Sequence, residues 1–492
     1  MNPGPEKLRR SNLDLIPRSL VSQGASEYAL TRTASGLRLV VLADPADLAG
    51  FTGDHAEFAG KSLLTGRCNA RNAAALRKHL GWLQPVCLGL RTSAGMGDRM
   101  GNATPGHVRA VRNTGGKVAP IFAQQSMREM ARTDRTPRQV LDDATWGVFQ
   151  EGWQADAGAD ADHLKTTADI DACLEAGFTF FTIDPGAYVD DRAETASPSE
   201  LRQLAEALPN DLQPRASGLL GKGFDIEGLR LTFNENTLLK AAVKYARAVD
   251  HVASLYRHLV KTAGTRPFEL EVSVDETAQP TSHAEHVYIA CELNRLGVRW
   301  ISLAPRYVGR FEKGVDYIGD IAAFESDLAG HAAIARQFGP YKLSLHSGSD
   351  KFSIYPAAMR QTGGLVHLKT AGTSYLEALR TIAALDPGLF GEIYTFACQN
   401  YPADKASYHV SARLDRAPQP EAVTDCPALL DQFDARQILH VTFGSVLTCK
   451  QASGRKRFAG RIMAALTANA EAYALNLENH FGRHLEPFSS LE

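Results

Sequence analysis

Eight short apolar segments recur through the middle of this chain, and that repetition limits the folds open to it. They are Val86–Leu90, Val118–Phe122, Ala155–Ala161, Phe178–Asp184, Phe268–Asp275, Trp300–Ala304, Lys342–His346 and Leu365–Lys369. Most neighbours are separated by roughly 20 to 45 residues, room for a helix and its loops. Eight β/α units predict a TIM (β/α)8 barrel, with its active site at the C-terminal ends of the strands. An open doubly wound sheet is the alternative.

The gap between Asp184 and Phe268 is longer than the others. It holds two helical stretches, Ser197–Leu208 and Thr237–Leu259, the first opened by the start signal Ser197-Pro198-Ser199-Glu200. The region 190–265 therefore reads as a helical insertion in a barrel spanning 81–424. Residues 1–80, with a strand-like Leu37–Ala43 and a helical Asn69–Leu80, read as an N-terminal extension. Residues 425–492 read as a helical C-terminal segment containing Pro427–Phe433 and Ala459–His480. The second of these is expected to pack on the barrel or on a partner, which leaves a homo-oligomer open.

Composition removes several functional classes. A formal net charge of −2 offers no general attraction to nucleic acid or to an anionic membrane. No apolar run is long enough to span a bilayer, and Met1–Pro5 lacks the basic and apolar regions of a secretion signal. Seven scattered cysteines without a CxxC pair point to reduced thiols and a cytoplasmic setting.

The chemistry concentrates at strand ends. In Leu270-Glu271-Val272-Ser273-Val274-Asp275 and Leu343-Ser344-Leu345-His346, apolar and polar residues alternate. Period two puts the apolar set on the face covered by helices and turns Glu271, Asp275 and His346 inward. Buried ionisable groups are costly unless they are paired or bind a metal. Asp160-Ala161-Asp162-His163-Leu164-Lys165 gathers two carboxylates, an imidazole and an amine at the third strand end. Such ligands suit zinc, manganese, cobalt or nickel; a solvated, salt-bridged loop is the bland alternative. A shielded Glu271 is expected to have a raised pKa and to serve as acid or base, unless it is simply the buried partner of a lysine or arginine. His367 on the eighth strand shares its inward phase with Lys369. After His346, the turn Ser347-Gly348-Ser349-Asp350-Lys351 offers backbone N–H groups to an anionic or polyhydroxy ligand.

Ser93–Gly101 carries GxGxxxG rather than GxGxxG, and no ribose-binding acid follows, so NAD is not expected. Its Arg99 is available to a carboxylate. His283-Ala284-Glu285-His286 is not HExxH and reads as the start of a helix.

Together these segments resemble the tagaturonate epimerase family. The resemblance rests on Gly97-Asp98-Arg99-Met100-Gly101 with Ala103-Thr104-Pro105-Gly106-His107, Gly158–Thr166, Glu271–Thr277, Gly309–Tyr317 and Leu345–Phe352, in that order. It implies a metal-dependent epimerase that interconverts tagaturonate and fructuronate, with related enzymes acting on tagatose and fructose. It further implies Asp162 as proton acceptor, Glu271 as proton donor, and His163 and His346 as metal ligands. Glu312 would be the third ligand, with His367 in reserve. Asp275 and Asp350 are expected at the substrate, and Arg99, Lys165, Arg306 and Lys351 compete for its carboxylate.

The inverted carbon of such a substrate lies β to the ketone, so its hydrogen is not acidified directly. A retro-aldol route suits this: a base takes the hydroxyl proton, the adjacent C–C bond breaks, and the aldehyde fragment turns and re-adds. A metal-dependent aldolase or isomerase shares the same site physics, and a noncatalytic sugar-binding barrel is the reading from fold alone.

Overall fold

The structure, a computed structural model, describes residues 6–34 and 36–489. Met1–Pro5 and residues 490–492 lie outside the described residues. Eight parallel strands close into a barrel in chain order: Ser93–Gly95, Ala119–Ser126, Gly158–Leu164, Phe180–Ile183, Glu269–Val274, Ser302–Pro305, Lys342–Leu345 and Val366–Lys369. The eighth strand pairs with the first through Leu368 and Ala94. That closure excludes the open sheet.

Alternation explains the barrel wall. Leu270, Val272, Val274, Leu343, Leu345, Val366 and Leu368 face outward into the main hydrophobic cluster. The inward set is polar to an unusual degree. Ser302 Oγ donates to Glu271 Oε2 at 2.6 Å, Thr182 Oγ1 to Asp160 Oδ1 at 3.1 Å, and Lys342 Nζ to Ser93 Oγ at 3.0 Å. Barrels of this kind usually fill their axis with branched apolar side chains. Here hydrogen-bonded ions and hydroxyls fill it, and buried groups of that kind must be paired.

Seven expected strands overlap the observed ones. The first does not: Val86–Leu90 is a connecting stretch, and the strand is Ser93–Gly95. The Glu269 carboxylate accepts from the backbone N–H of Leu88 and Gly89, tying the stretch to the foot of the fifth strand. The real strand is made of small residues because Gly95 lies against Gln124, whose Cγ would sit 2.8 Å from an added Cβ.

The stretch read as an insertion divides in two. Helix Pro198–Glu206 is capped by Ser197 with Glu200, as its sequence predicts. A hairpin of Gly223–Ile226 and Leu229–Thr232 follows. The long helix Glu235–Ala263 then packs against Thr167–Ala176 and His283–Arg295, the helices after the third and fifth strands. It fills the barrel-helix position after the fourth strand.

The N-terminal region forms a five-stranded antiparallel sheet and helix Ala70–His79. Arg77 fastens this helix to Pro137–Glu151 through Asp142 and Thr145, both at 2.7 Å. After the barrel, Cys426–Leu429 and Phe433–Val441 replace the single helix expected near Pro427, and Ala459–Ala468 and Ala470–Ser489 divide the other at Asn469. Ala470–Ser489 lies on Thr104–Asn113 and Thr373–Leu385. Among the described residues no helix is long and apolar enough to cross a membrane, and all seven cysteines are free.

The last helix approaches the barrel closely at Gly106, where an added Cβ would lie 2.4 Å from Leu477 Cβ and 2.8 Å from Ala474 O. Backbone on one side cannot yield as a flexible side chain would. Gly106→Val should destabilise the protein by about 1–3 kcal/mol, read as a lower denaturant midpoint. An unchanged midpoint would mean that this helix is not seated there.

Candidate active site

Asp162 and His163 are adjacent in sequence, and a regular strand would point them to opposite faces. A bulge brings them together. Against the fourth strand, Ala161 pairs with Phe181 but Leu164 pairs with Ile183, leaving one extra residue on the third strand. His163 takes a positive φ of 54° to achieve it, a conformation rare for a non-glycine residue and concentrated at functional sites.

Two carboxylate–histidine pairs follow. His163 Nδ1 lies 2.7 Å from Asp162 Oδ1, and His346 Nε2 lies 2.7 Å from Glu271 Oε1. Each carboxylate fixes its imidazole through one ring nitrogen. The other nitrogens, His163 Nε2 and His346 Nδ1, turn toward the same atom, Asp275 Oδ1, at 3.9 and 3.3 Å, and His346 Nδ1 also lies 3.4 Å from Ser273 Oγ. The ring centroids are 5.0 Å apart. Ligand atoms about 2.0–2.2 Å from one ion lie roughly 3–4 Å from each other, and both contacts to Asp275 Oδ1 fall in that range. One donor atom each from Asp162, His163 and His346 also lie within 4.8 Å of one another. Carboxylates behind ligating histidines are the usual outer support of such a centre.

Lys369 ties the two pairs together. Its Nζ is 2.7 Å from Asp162 Oδ1, 2.8 Å from Glu271 Oε1 and 3.1 Å from Asp160 Oδ2. Burial alone would raise the pKa of Glu271. The Lys369 ammonium and then His346 outweigh that and hold it well below the ordinary value. The raised pKa expected for Glu271 is therefore reversed. For Asp162, likewise, His163 and Lys369 overcome burial and keep the carboxyl ionised. Burial would lower His346, yet facing Asp275 and Glu271 lift it to about 10.

These groups open onto a cavity of about 310 Å³ at the C-terminal barrel mouth. Asp162, His163, Asp275, His346 and Lys369 form one wall. Arg99, Arg128, Lys313 and His440 are on the rest of the lining. Glu271 is fully buried beneath His346 and Lys369 and does not line it.

A family model described as tagaturonate epimerase matches residues 16–488. The chain belongs to the tagaturonate epimerase family. A curated relative from Thermotoga maritima, named tagaturonate/fructuronate epimerase, is 43% identical over 477 residues, covering 96% of each chain. Crystal structures of the fructuronate-tagaturonate epimerase of Cohnella laeviribosi superpose with a TM-score of 0.92 in the native form, at 37% identity over 98% of this chain and 97% of that one. A glycerol complex of the same protein gives 0.92 at 36% identity over the same shares of the two chains. This member of the family is an epimerase, an enzyme of the isomerase class.

Of the site residues expected from the sequence, several lie elsewhere, and Glu312 lines the same cavity but is not in the cluster of Asp162, His163 and His346. Its Oε2 accepts from Ser411 N and Oγ, at 2.8 and 2.7 Å, and from Gln437 Nε2 at 3.1 Å. His367 lies deeper in the barrel, with Nδ1 2.9 Å from Ser93 Oγ. Lys165 does not line the cavity; it pairs with Asp184 at 3.0 Å and is half exposed. Asp350 joins a separate buried cluster with Arg436, His480 and His484, at 3.0, 3.2 and 3.5 Å. Lys351 donates to three backbone carbonyls, those of Glu312, Val315 and Ser349, at 2.8, 2.6 and 2.9 Å. Arg99 and Arg306 do line the cavity, and Asp275 stands at the metal-type wall.

Reading by pattern noted Lys369 only as inward and missed Arg128, Lys313, Tyr408 and His440. The phase of Lys369 beside two acidic strand ends was a usable signal. The last two come from segments after the eighth strand, where no local signal exists. Lys351 is a structural bolt, with burial lowering its pKa to about 7. Lys351→Met should cost about 2–4 kcal/mol of stability, because three buried carbonyls lose their donor. Urea unfolding reads this directly, and a variant as stable as its parent would contradict the assignment.

Proposed function

We propose that the protein interconverts tagaturonate and fructuronate by inversion at C4. The observation that carries this is the convergence of His163 Nε2, His346 Nδ1 and Asp275 Oδ1 on the cavity of a chain in this family. His163, His346 and Asp275 would hold a divalent ion of the zinc, manganese, cobalt or nickel kind. Such an ion, when bound, supplies Lewis-acid polarisation of the substrate ketone.

The chain's own groups supply proton transfer and placement. Asp162 lines the cavity, stays ionised, and is the acceptor for the C4 hydroxyl proton. Loss of that proton lets the C3–C4 bond break, leaving an aldehyde and an enediolate fragment. The aldehyde turns and is attacked on its other face, and the new C4 oxygen regains a proton. Lys369 lines the cavity within reach of Asp162 and is the donor placed to return it. Glu271 supports the donor role from behind, by holding the Lys369 charge and the His346 ring. The uncharged pair tagatose and fructose shares the reacting carbons and is the second substrate pair of this reading.

Incubation of the metal-loaded protein with tagaturonate should yield fructuronate one for one, without added nucleotide. Release of three-carbon fragments instead would favour an aldolase. In D₂O the C4 hydrogen should remain unexchanged, since only its hydroxyl is deprotonated. Deuterium at C4 in step with turnover would replace the retro-aldol route by direct C–H deprotonation. Asp162→Asn should lower kcat about 10²–10⁴-fold while leaving the thermal midpoint close to the parent's. Near-normal turnover would remove Asp162 as the base. Prolonged chelation should abolish activity, and one of the four metals should restore it.

A further inference from the structure

We propose that Lys313, assisted by Arg99, forms an anion subsite for the substrate carboxylate, a proposal that rests on the epimerase reading above. The loop carrying Lys313 is held in place over the cavity. Gly309 and Gly314 take φ values of +84° and +73°, and an added Cβ at Gly309 would collide with the Tyr317 ring. Gln437 donates to Lys313 O at 3.1 Å and also to Glu312 Oε2. The backbone on either side of the Lys313 stem is therefore fixed, and the half-buried side chain lines the cavity.

Most other cations of the lining have carboxylate partners; among the described residues Arg306 is the exception, which makes it the rival for the same anion. Arg99 pairs with Glu129, Nε to Oε1 at 3.0 Å; Arg128 pairs with Glu276 at 3.2 Å; Arg310 lies 3.7 Å from Glu312. Lys369 sits among three carboxylates. Among the described residues, Lys313 Nζ has neither an ion pair nor a hydrogen bond. The acids that influence it are Glu129 and Asp275. Glu129 is already held by Arg99, and Asp275 by the two histidines. Burial, with Arg128 and Arg99 nearby, lowers the pKa of the unpaired amine, and an arriving anion would offset that burden.

Arg99 contributes an independent observation. Its guanidinium lies 3.6 Å over the Phe443 ring and bonds to Glu129, yet Nη1 is buried with no hydrogen-bond partner. An orphaned guanidinium donor is costly unless a ligand uses it. The cavity thus brings two spare cationic donors into the same lining as Asp162 and Asp275. A sugar acid meets both sets, its carboxylate at Lys313 and its ketone at the histidines. An uncharged ketohexose leaves Lys313 unpaired.

The test compares Lys313→Met, Lys313→Arg and Arg306→Met with the parent enzyme. Lys313→Met should raise KM for tagaturonate roughly 10- to 100-fold with kcat within about threefold. Lys313→Arg should recover most of the loss, and the Ki of tagatose against tagaturonate should stay within about twofold. An unchanged KM, an equal weakening of tagatose, or the effect appearing in Arg306→Met alone would each overturn the subsite. Lys313→Gln repeats the test should the Met variant not fold. If the parent does not convert tagaturonate, the epimerase reading fails by itself. Calorimetry with tartronate then decides the subsite: heat of binding with the parent but not with Lys313→Met supports it, and equal or absent binding in both overturns it.

Discussion

The Lys369 ammonium, set among the carboxylates of Asp160, Asp162 and Glu271, is the interaction on which the rest of this barrel depends. Three buried carboxylates cannot remain ionised together without a partner, because burial of an uncompensated charge costs several kcal/mol per ion. One lysine contributes a single positive charge. The remaining deficit, enlarged by Asp275, is met by the imidazoles of His163 and His346, either as protonated rings or as ligands of a cation. The mouth of the barrel thus gathers four carboxylates around one lysine and two imidazoles.

This arrangement also separates two tasks that a sequence reading merges. Asp162 and Glu271 both support a histidine, but only Asp162 reaches the cavity. The distinction arises from the bulge in the third strand, which lifts Asp162 and His163 together to the rim, whereas Glu271 remains on a regular strand one layer down. Depth along a strand, rather than residue type, decides which carboxylate can meet a substrate.

The barrel was legible because period-two alternation in Leu270–Asp275 and Leu343–His346 reports directly which face is buried. Glu271, Asp275 and His346 were found that way, and the structure places all three around the same centre. Ser93–Gly95 escaped notice because its residues are too small to show a pattern. Read as sequence, the glycine- and serine-rich turn around Asp350 and Lys351 points to the substrate. Their partners are His480, His484 and Arg436 for the one and backbone carbonyls of 312–315 for the other. Those partnerships cross long stretches of chain and leave no trace in local spacing.

The cavity lining draws on Tyr408 and His440, and the loop after His346 is braced by His480 and His484. A chain synthesised only through the eighth strand would already own its metal-type wall and the side formed by Arg99, Arg128 and Lys313, but not Tyr408, His409 and His440. Chemistry in this molecule therefore waits on the order of synthesis. The reactive carboxylates are translated well before Tyr408 and His440, so a nascent barrel has ligands before its chamber is closed.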